Sequence, residues 1–158
     1  MCLRLDRLAC VKLTIASIAG RARSEPFDAL VAEYAGRLAP YVQTETVVFK
    51  TSEAFFESVE KQRSRMGSVL VLLDRQGKQF SSEELARWLR RQRDEGQQRV
   101  VFVIGPADGW SNAERAQAGM LLSLGPMTLP HELARVVLSE QIYRAFTILA
   151  GHPYHTGH

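Results

Sequence analysis

Hydrophobic and polar positions along the chain switch repeatedly between two periods. Residues 11–18 alternate with a period of two, placing Val11, Leu13 and Ile15 on one face of a predicted strand. Gly20 ends that strand, and Ser24 with Pro26 opens a helix. In this helix Phe27, Leu30, Val31, Tyr34 and Leu38 recur at helical spacing until Pro40 stops it. Residues 42–49 read as a second strand, and a second helix starts at Ser52 with Phe55, Phe56 and Val59 inward. The run Val-Leu-Val-Leu-Leu at 69–73 is continuously apolar, as a strand covered on both faces should be. Ser81 and Glu84 have the spacing of a capping box ahead of Leu85, Trp88 and Leu89. A second apolar run, 100–104, precedes another such box at Ser111 and Glu114. A short strand at 120–124 follows, and then a long helix from about Pro130 to Ala150.

Strand and helix alternate five times with no repeat, linker or low-complexity tract. The expectation is a single α/β domain over 11–158, with a mostly parallel sheet and helices on both faces. The first ten residues read as an extension ahead of it. Ligands in such sheets collect beyond the carboxyl ends of the strands. That singles out the segments 74–79, 105–110 and 125–130 as predicted loops. In the final helix Leu133, Val136, Val137, Leu138, Ile142, Tyr143, Phe146, Ile148 and Leu149 cover nearly the whole wheel. One side can lie on the sheet; a partner subunit is the expected cover for the other.

Composition narrows the classes. With 158 residues, 46% hydrophobic and 23% charged, the chain can build a real core and is neither collagen-like nor disordered. No apolar run reaches the roughly 20 residues of a membrane span. Cys2 and Cys10 cannot make a disulfide framework, and residues 1–10, with Arg4, Asp6 and Arg7 among the leucines, do not read as a signal peptide, so a cytoplasmic protein is expected. A net charge of +3 permits a polyanionic partner without demanding one. Arg supplies 16 of the 20 cationic side chains, a choice that suits phosphate and base recognition but also follows from a GC-rich genome.

Candidate chemistry is sparse by motif. The glycines of Gly105-Pro106-Ala107-Asp108-Gly109 allow a sharp turn after a buried strand, yet the spacing is neither a dinucleotide fingerprint nor a P-loop. No set of ligands has metal-binding spacing, and no Ser elbow or activated Cys is present. His131 opens the last helix, where packing or capping is its plain role. Glu140 and Arg144 have the spacing of an ordinary i,i+4 ion pair. Tyr154 and His155 stand in a short tail, where disorder is the usual expectation. Trp88 and Trp110 read as packing residues.

Taken together, these residues form a pattern. Leu129-Pro130-His131, Arg135-Val136-Val137-Leu138, Glu140-Gln141, Tyr143-Arg144-Ala145-Phe146 and Tyr154-His155 resemble, in order and spacing, the RlmH-type family. Its members are SPOUT-class large-subunit ribosomal RNA methyltransferases, which use S-adenosylmethionine to methylate N3 of a pseudouridine. The likeness runs from about Val11 to His155 and is most specific in the last third. Leu72-Leu73-Asp74 through Gly77-Lys78, and Phe102-Val103-Ile104-Gly105, fall at matching places upstream.

The resemblance implies an α/β fold with a deep C-terminal trefoil knot, a homodimer, and the ribosome or its large-subunit RNA as partner, with no membrane and no metal. It implies that S-adenosylmethionine is held by backbone at Leu73, Gly105, Leu124, Gly125, Pro126, Met127, Thr128 and Leu129. His155 or Tyr154 would then handle the acceptor base and its proton, Arg144 would hold phosphate or the developing anion, and His131 would orient the pocket. Two departures stand out. Pro106 replaces the second glycine of the family's Ile-Gly-Gly, and Thr156-Gly157-His158 replaces a basic residue after Tyr-His. Two alternatives remain open at this point: a SPOUT methyltransferase acting on tRNA or another ribosomal site, and a non-catalytic ribosome- or nucleotide-binding α/β module.

Overall fold

A computed structural model describes residues 11–19, 25–63 and 67–157. The expected N-terminal extension, both cysteines and the Gly20 and Ser24 punctuation lie outside the described residues. Five strands, β1 (Lys12–Ile18), β2 (Gln43–Phe49), β3 (Ser68–Gln79), β4 (Arg99–Ile104) and β5 (Met120–Ser123), form one sheet in the order β2-β1-β4-β3-β5. Every pairing is parallel. Between and after them run α1 (Glu25–Leu38), α2 (Ser52–Arg63), α3 (Ser82–Asp94), α4 (Asn112–Ala116) and α5 (His131–Ala150). The predicted alternation is therefore present element by element. Both capping boxes form: Ser81 and Ser111 accept from the main-chain N–H of Glu84 and Glu114, whose carboxylates accept in return from the two serine N–H groups.

The period of two in the strands sorts their side chains between two cores. On one face Leu13, Ile15, Val71, Val100 and Phe102 pack with Leu38 of α1, Leu85 and Trp88 of α3, and Leu138, Ile142 and Phe146 of α5. On the other, Ala16, Leu70, Leu72, Val101 and Val103 pack with Phe55 of α2 and with Trp110. Both tryptophans are thus packing residues, as expected. Leu30, expected on the inner stripe of α1, is exposed.

Three expectations need correction. The strand predicted at 69–73 continues to Gln79, so the segment 74–79 is not a free loop. Leu73 and Lys78 both pair with Leu122, so Asp74 to Gly77 bulge outward while the strand resumes beside β5. Gly77 makes this possible, because a Cβ there would lie 2.6 Å from the main-chain N and C of Leu122. Next, α5 finds most of its cover within its own chain. It lies between α1 and α3 above the sheet, which explains an apolar wheel without invoking a partner on that ground alone. Finally, the tail after Gly151 is an ordered 3-10 turn, Pro153–Gly157, packed on α5.

The β3 bulge is pinned electrostatically. Asp74, with a side chain only 4% exposed, receives Arg115 Nε at 2.7 Å and the Gln76 N–H at 2.8 Å. Burial alone would raise its carboxyl, but the Arg115 and Gln76 hydrogen bonds outweigh it and hold Asp74 below the usual range. The folded value lies below the unfolded one, so the stabilisation is present above about pH 4 and is lost as pH falls through the folded value. Asp74→Asn is expected to cost about 1–2 kcal/mol at neutral pH. Urea midpoints of the two proteins should converge on acidification; a difference that does not change with pH would refute the pinning.

Candidate functional site

The residues singled out by sequence fall into two groups in the folded chain. The first lies at the carboxyl ends of the adjacent strands β4, β3 and β5. Leu73 ends the first half of β3, and its carbonyl accepts the Trp110 indole N–H at 2.8 Å. Gly105 directly follows β4 beneath that same indole. Leu124 to Leu129 form the connection from β5 to α5. Its first turn is set by Gly125, whose φ of +135° few side-chain-bearing residues tolerate. The Gly125 N–H donates to Ser123 Oγ, and that hydroxyl donates to the Gly125 carbonyl. Met127 is 82% exposed, and the main-chain N–H groups of Met127, Thr128 and Leu129 find no acceptor among the described residues.

The second group is a side-chain network at the far end of α5. Glu140 is its hub. Its Oε1 accepts Arg144 Nη2 at 2.6 Å, Arg144 Nε at 3.0 Å and the Tyr154 hydroxyl at 3.1 Å. Its Oε2 accepts Gln141 Nε2 at 2.9 Å, while Gln141 Oε1 accepts the Ser82 hydroxyl at the start of α3. The Tyr154 ring packs edge-on against Tyr143 at 4.8 Å, with the Arg144 guanidinium 5.0 Å from its centre. These contacts order the tail. Tyr143 in turn touches Tyr34 and Tyr41, so all four tyrosines of the chain belong to one cluster.

The electrostatics follow from these contacts. Burial first, then the hydrogen bond to Glu140, pushes the Tyr154 phenol up to about 12, so Tyr154 is a neutral donor throughout the physiological range. The Glu140 hydrogen bond raises Arg144 further, fixing its charge. Glu140→Gln should lower the Tyr154 titration midpoint below about 12, read from the Tyr154 ring carbons by NMR; an unchanged midpoint would show that the carboxylate does not set it.

The remaining histidines separate. His155, next to Tyr154, places Nε2 2.8 Å from Glu83 Oε1 on α3. His131 opens α5 after Pro130, with Nδ1 3.5 Å from Glu132 and Nε2 buried without a partner among the described residues. His131 and Arg144 are thirteen residues apart along the helix, about 20 Å. One copy of the chain therefore does not bring His131 together with Tyr154 and Arg144. Glu140 as hub, and Glu83, were not picked out as site residues from the sequence. The first shows in the sequence as an i,i+4 pair and as part of the family pattern, neither of which gives it a role, and the second is 72 positions from its partner. No group of three or more His, Cys, Asp or Glu side chains with metal-holding geometry occurs among the described residues, and none of their helices is long and apolar enough to cross a membrane.

Residues 11–155 match the family described as predicted SPOUT methyltransferases. The chain is 49% identical over 139 residues to the Ribosomal RNA large subunit methyltransferase H of Koribacter versatilis, covering 88% of this chain and 94% of that protein. It is 42% identical over 151 residues to the protein of the same name from Gloeobacter violaceus, covering 87% and 95%. Among solved structures, the SpoU methyltransferase AviRb from Streptomyces viridochromogenes, crystallised with the cofactor AdoMet, aligns with a TM-score of 0.53 at 16% identity. That alignment covers 94% of this chain but 62% of the longer AviRb chain. A probable methyltransferase from Bordetella pertussis aligns at 0.52 and 14% identity, covering 90% of this chain and 97% of that one. At such identities the two structures speak for the fold.

Proposed function

The chain belongs to the SPOUT methyltransferase family, and from that premise we propose that it methylates N3 of a pseudouridine in large-subunit ribosomal RNA, in the cytoplasm, with S-adenosylmethionine as methyl donor. The observation that carries this reading is the ordered tail, in which Tyr154 and Arg144 meet on Glu140 and His155 stands beside them on Glu83. A binding module would not need that polar construction at its terminus.

The donor site is assigned to Leu73, Gly105 and the stretch Leu124, Gly125, Pro126, Met127, Thr128 and Leu129. Their fit rests on the unpaired amides of 127–129 and on the open turn at Gly125, which suit a ligand recognised through its edges and shape. When bound, S-adenosylmethionine supplies an electrophilic methyl group on a positively charged sulfur. The chain's own residues align the acceptor with that carbon and deal with the imide proton. Tyr154, a permanent phenol whose one hydrogen lies on Glu140, packs against the base, so proton acceptance falls to His155. Arg144 keeps N–H groups beyond the two on Glu140 Oε1 for a phosphate or for the anion that develops on the base.

A deep trefoil knot at the 124–150 region and a homodimer complete the reading. Met127 and Leu133 expose large apolar side chains at the entry to α5, and Leu30 does so on the neighbouring α1. A second copy seated there would supply the proximity between His131 and the tail that one chain lacks. Sedimentation at micromolar concentration should give twice the chain mass, and a monomer would remove the dimer from the proposal.

Titration calorimetry with S-adenosylmethionine separates the enzyme from a binding module, because failure to bind the donor ends the enzyme reading. Labelled methyl transfer to assembled ribosomes, free large subunits and tRNA, followed by mass mapping, should place one methyl on N3 of a large-subunit pseudouridine. Transfer to tRNA alone would replace this substrate with another.

A further inference from the structure

The first turn of α3 is tied to the tail at two points. Ser82 Oγ donates to Gln141, which donates to Glu140, the carboxylate that holds Tyr154 and Arg144. One residue further on, Glu83 Oε1 lies 2.8 Å from Nε2 of His155. The imidazole's other nitrogen, Nδ1, is buried with no partner among the described residues. Glu83 sits where the helix dipole favours a carboxylate, and its own main-chain N–H, followed by the His155 contact, holds it below the usual carboxyl range. An ionised carboxylate has no hydrogen to donate, so Nε2 carries the proton and, in the neutral ring, Nδ1 carries the lone pair. The charged groups around this tail are Glu83 from α3 and Glu140 and Arg144 from α5, the last two meeting it through Tyr154.

Resting on the function proposed above, we propose that Glu83 is the positioning residue of the site: it fixes His155 as the Nε2–H tautomer, so that Nδ1 is the atom that takes the acceptor proton. In the balanced step the base N3–H proton moves to Nδ1 and the N3 electron pair forms the bond to the methyl carbon. The carbon–sulfur bond breaks with its pair going to sulfur, leaving S-adenosylhomocysteine and an imidazolium whose charge faces Glu83. A general base needs the correct bare nitrogen, and Glu83 supplies it by holding the proton on Nε2.

The test compares Glu83→Ala, Glu83→Gln and Glu83→Ala in a His155→Ala background. Imidazole nitrogen NMR should show His155 as Nε2–H in the native protein and in Glu83→Gln, whose carbonyl still accepts, and a tautomer mixture in Glu83→Ala. Single-turnover methyl transfer should fall about 10- to 100-fold in Glu83→Ala with donor affinity unchanged, and recover most of that in Glu83→Gln. On top of His155→Ala, removal of Glu83 should cost nothing more; a further loss there would mean a general structural role and overturn the proposal. An unaltered His155 tautomer in Glu83→Ala would also overturn it, whether or not methyl transfer is observed. Absence of transfer by the native protein would instead count against the function itself.

Discussion

His155→Ala is expected to slow methyl transfer by about 100- to 1000-fold while the affinity for S-adenosylmethionine stays within about twofold of the native value. The split follows from the two groups of site residues. The donor is assigned to main chain between β4, β3 and β5, whereas His155 is held in the C-terminal turn by Glu83. Losing the imidazole removes the proposed proton acceptor, about 3–4 kcal/mol of transition-state stabilisation, but no group assigned to the donor. The ring is partly exposed and makes one side-chain hydrogen bond, so the melting temperature should move little. Single-turnover rates with saturating donor, set beside calorimetric donor affinity, measure both halves. Native turnover in the variant would reassign the proton to another group.

Gly77→Ala is the substitution expected to damage the protein most. The added Cβ would lie 2.6–2.7 Å from main-chain atoms of Leu121 and Leu122, and backbone cannot swing aside as a side-chain tip does. Either β5 moves away from β3 or the bulge at 74–77 collapses, at a cost of about 2–4 kcal/mol. Because Leu73 and the connection 124–129 hang from those strands, donor binding should weaken together with stability. Gly36→Ala is the matched control. Gly36 lies within α1 with nothing within 4 Å of its would-be Cβ, so this change should stabilise by about 0.5–1 kcal/mol. Urea denaturation of both variants tests the contrast. Equal stabilities would mean that β3 and β5 do not approach as closely as described.

The contacts around the tail constrain the spacing of the residues that make them. Glu140 serves three partners on α5 and the 3-10 turn, and Gln141 links it to α3. A one-residue shift in any of these would leave a partly buried carboxylate or guanidinium unpaired, which is far costlier than losing an exposed ion pair. The spacing from Glu140 to Tyr154 is thus constrained by hydrogen bonding as well as by chemistry.

By itself the sequence determined the elements and their order: five strands, five helices, two capping boxes and the inward positions of the first strand. Those depend on contacts within a few residues, where alternation, helical spacing and serine caps act locally. It also carried the family likeness, because the motif residues lie close together along the chain. Only the tertiary structure decided the order β2-β1-β4-β3-β5, the continuation of β3 past Leu73, the cover of α5 by α1 and α3, and the folding of the tail onto Glu140 and Glu83. The stretch Asp74 to Gln79 has no strand-like alternation: Asp74 to Gly77 bulge out of the pairing, and Lys78 and Gln79 are held beside the backbone of β5 rather than by a hydrophobic face. Glu83 and His155 meet across 72 positions, a distance over which no local periodicity carries information.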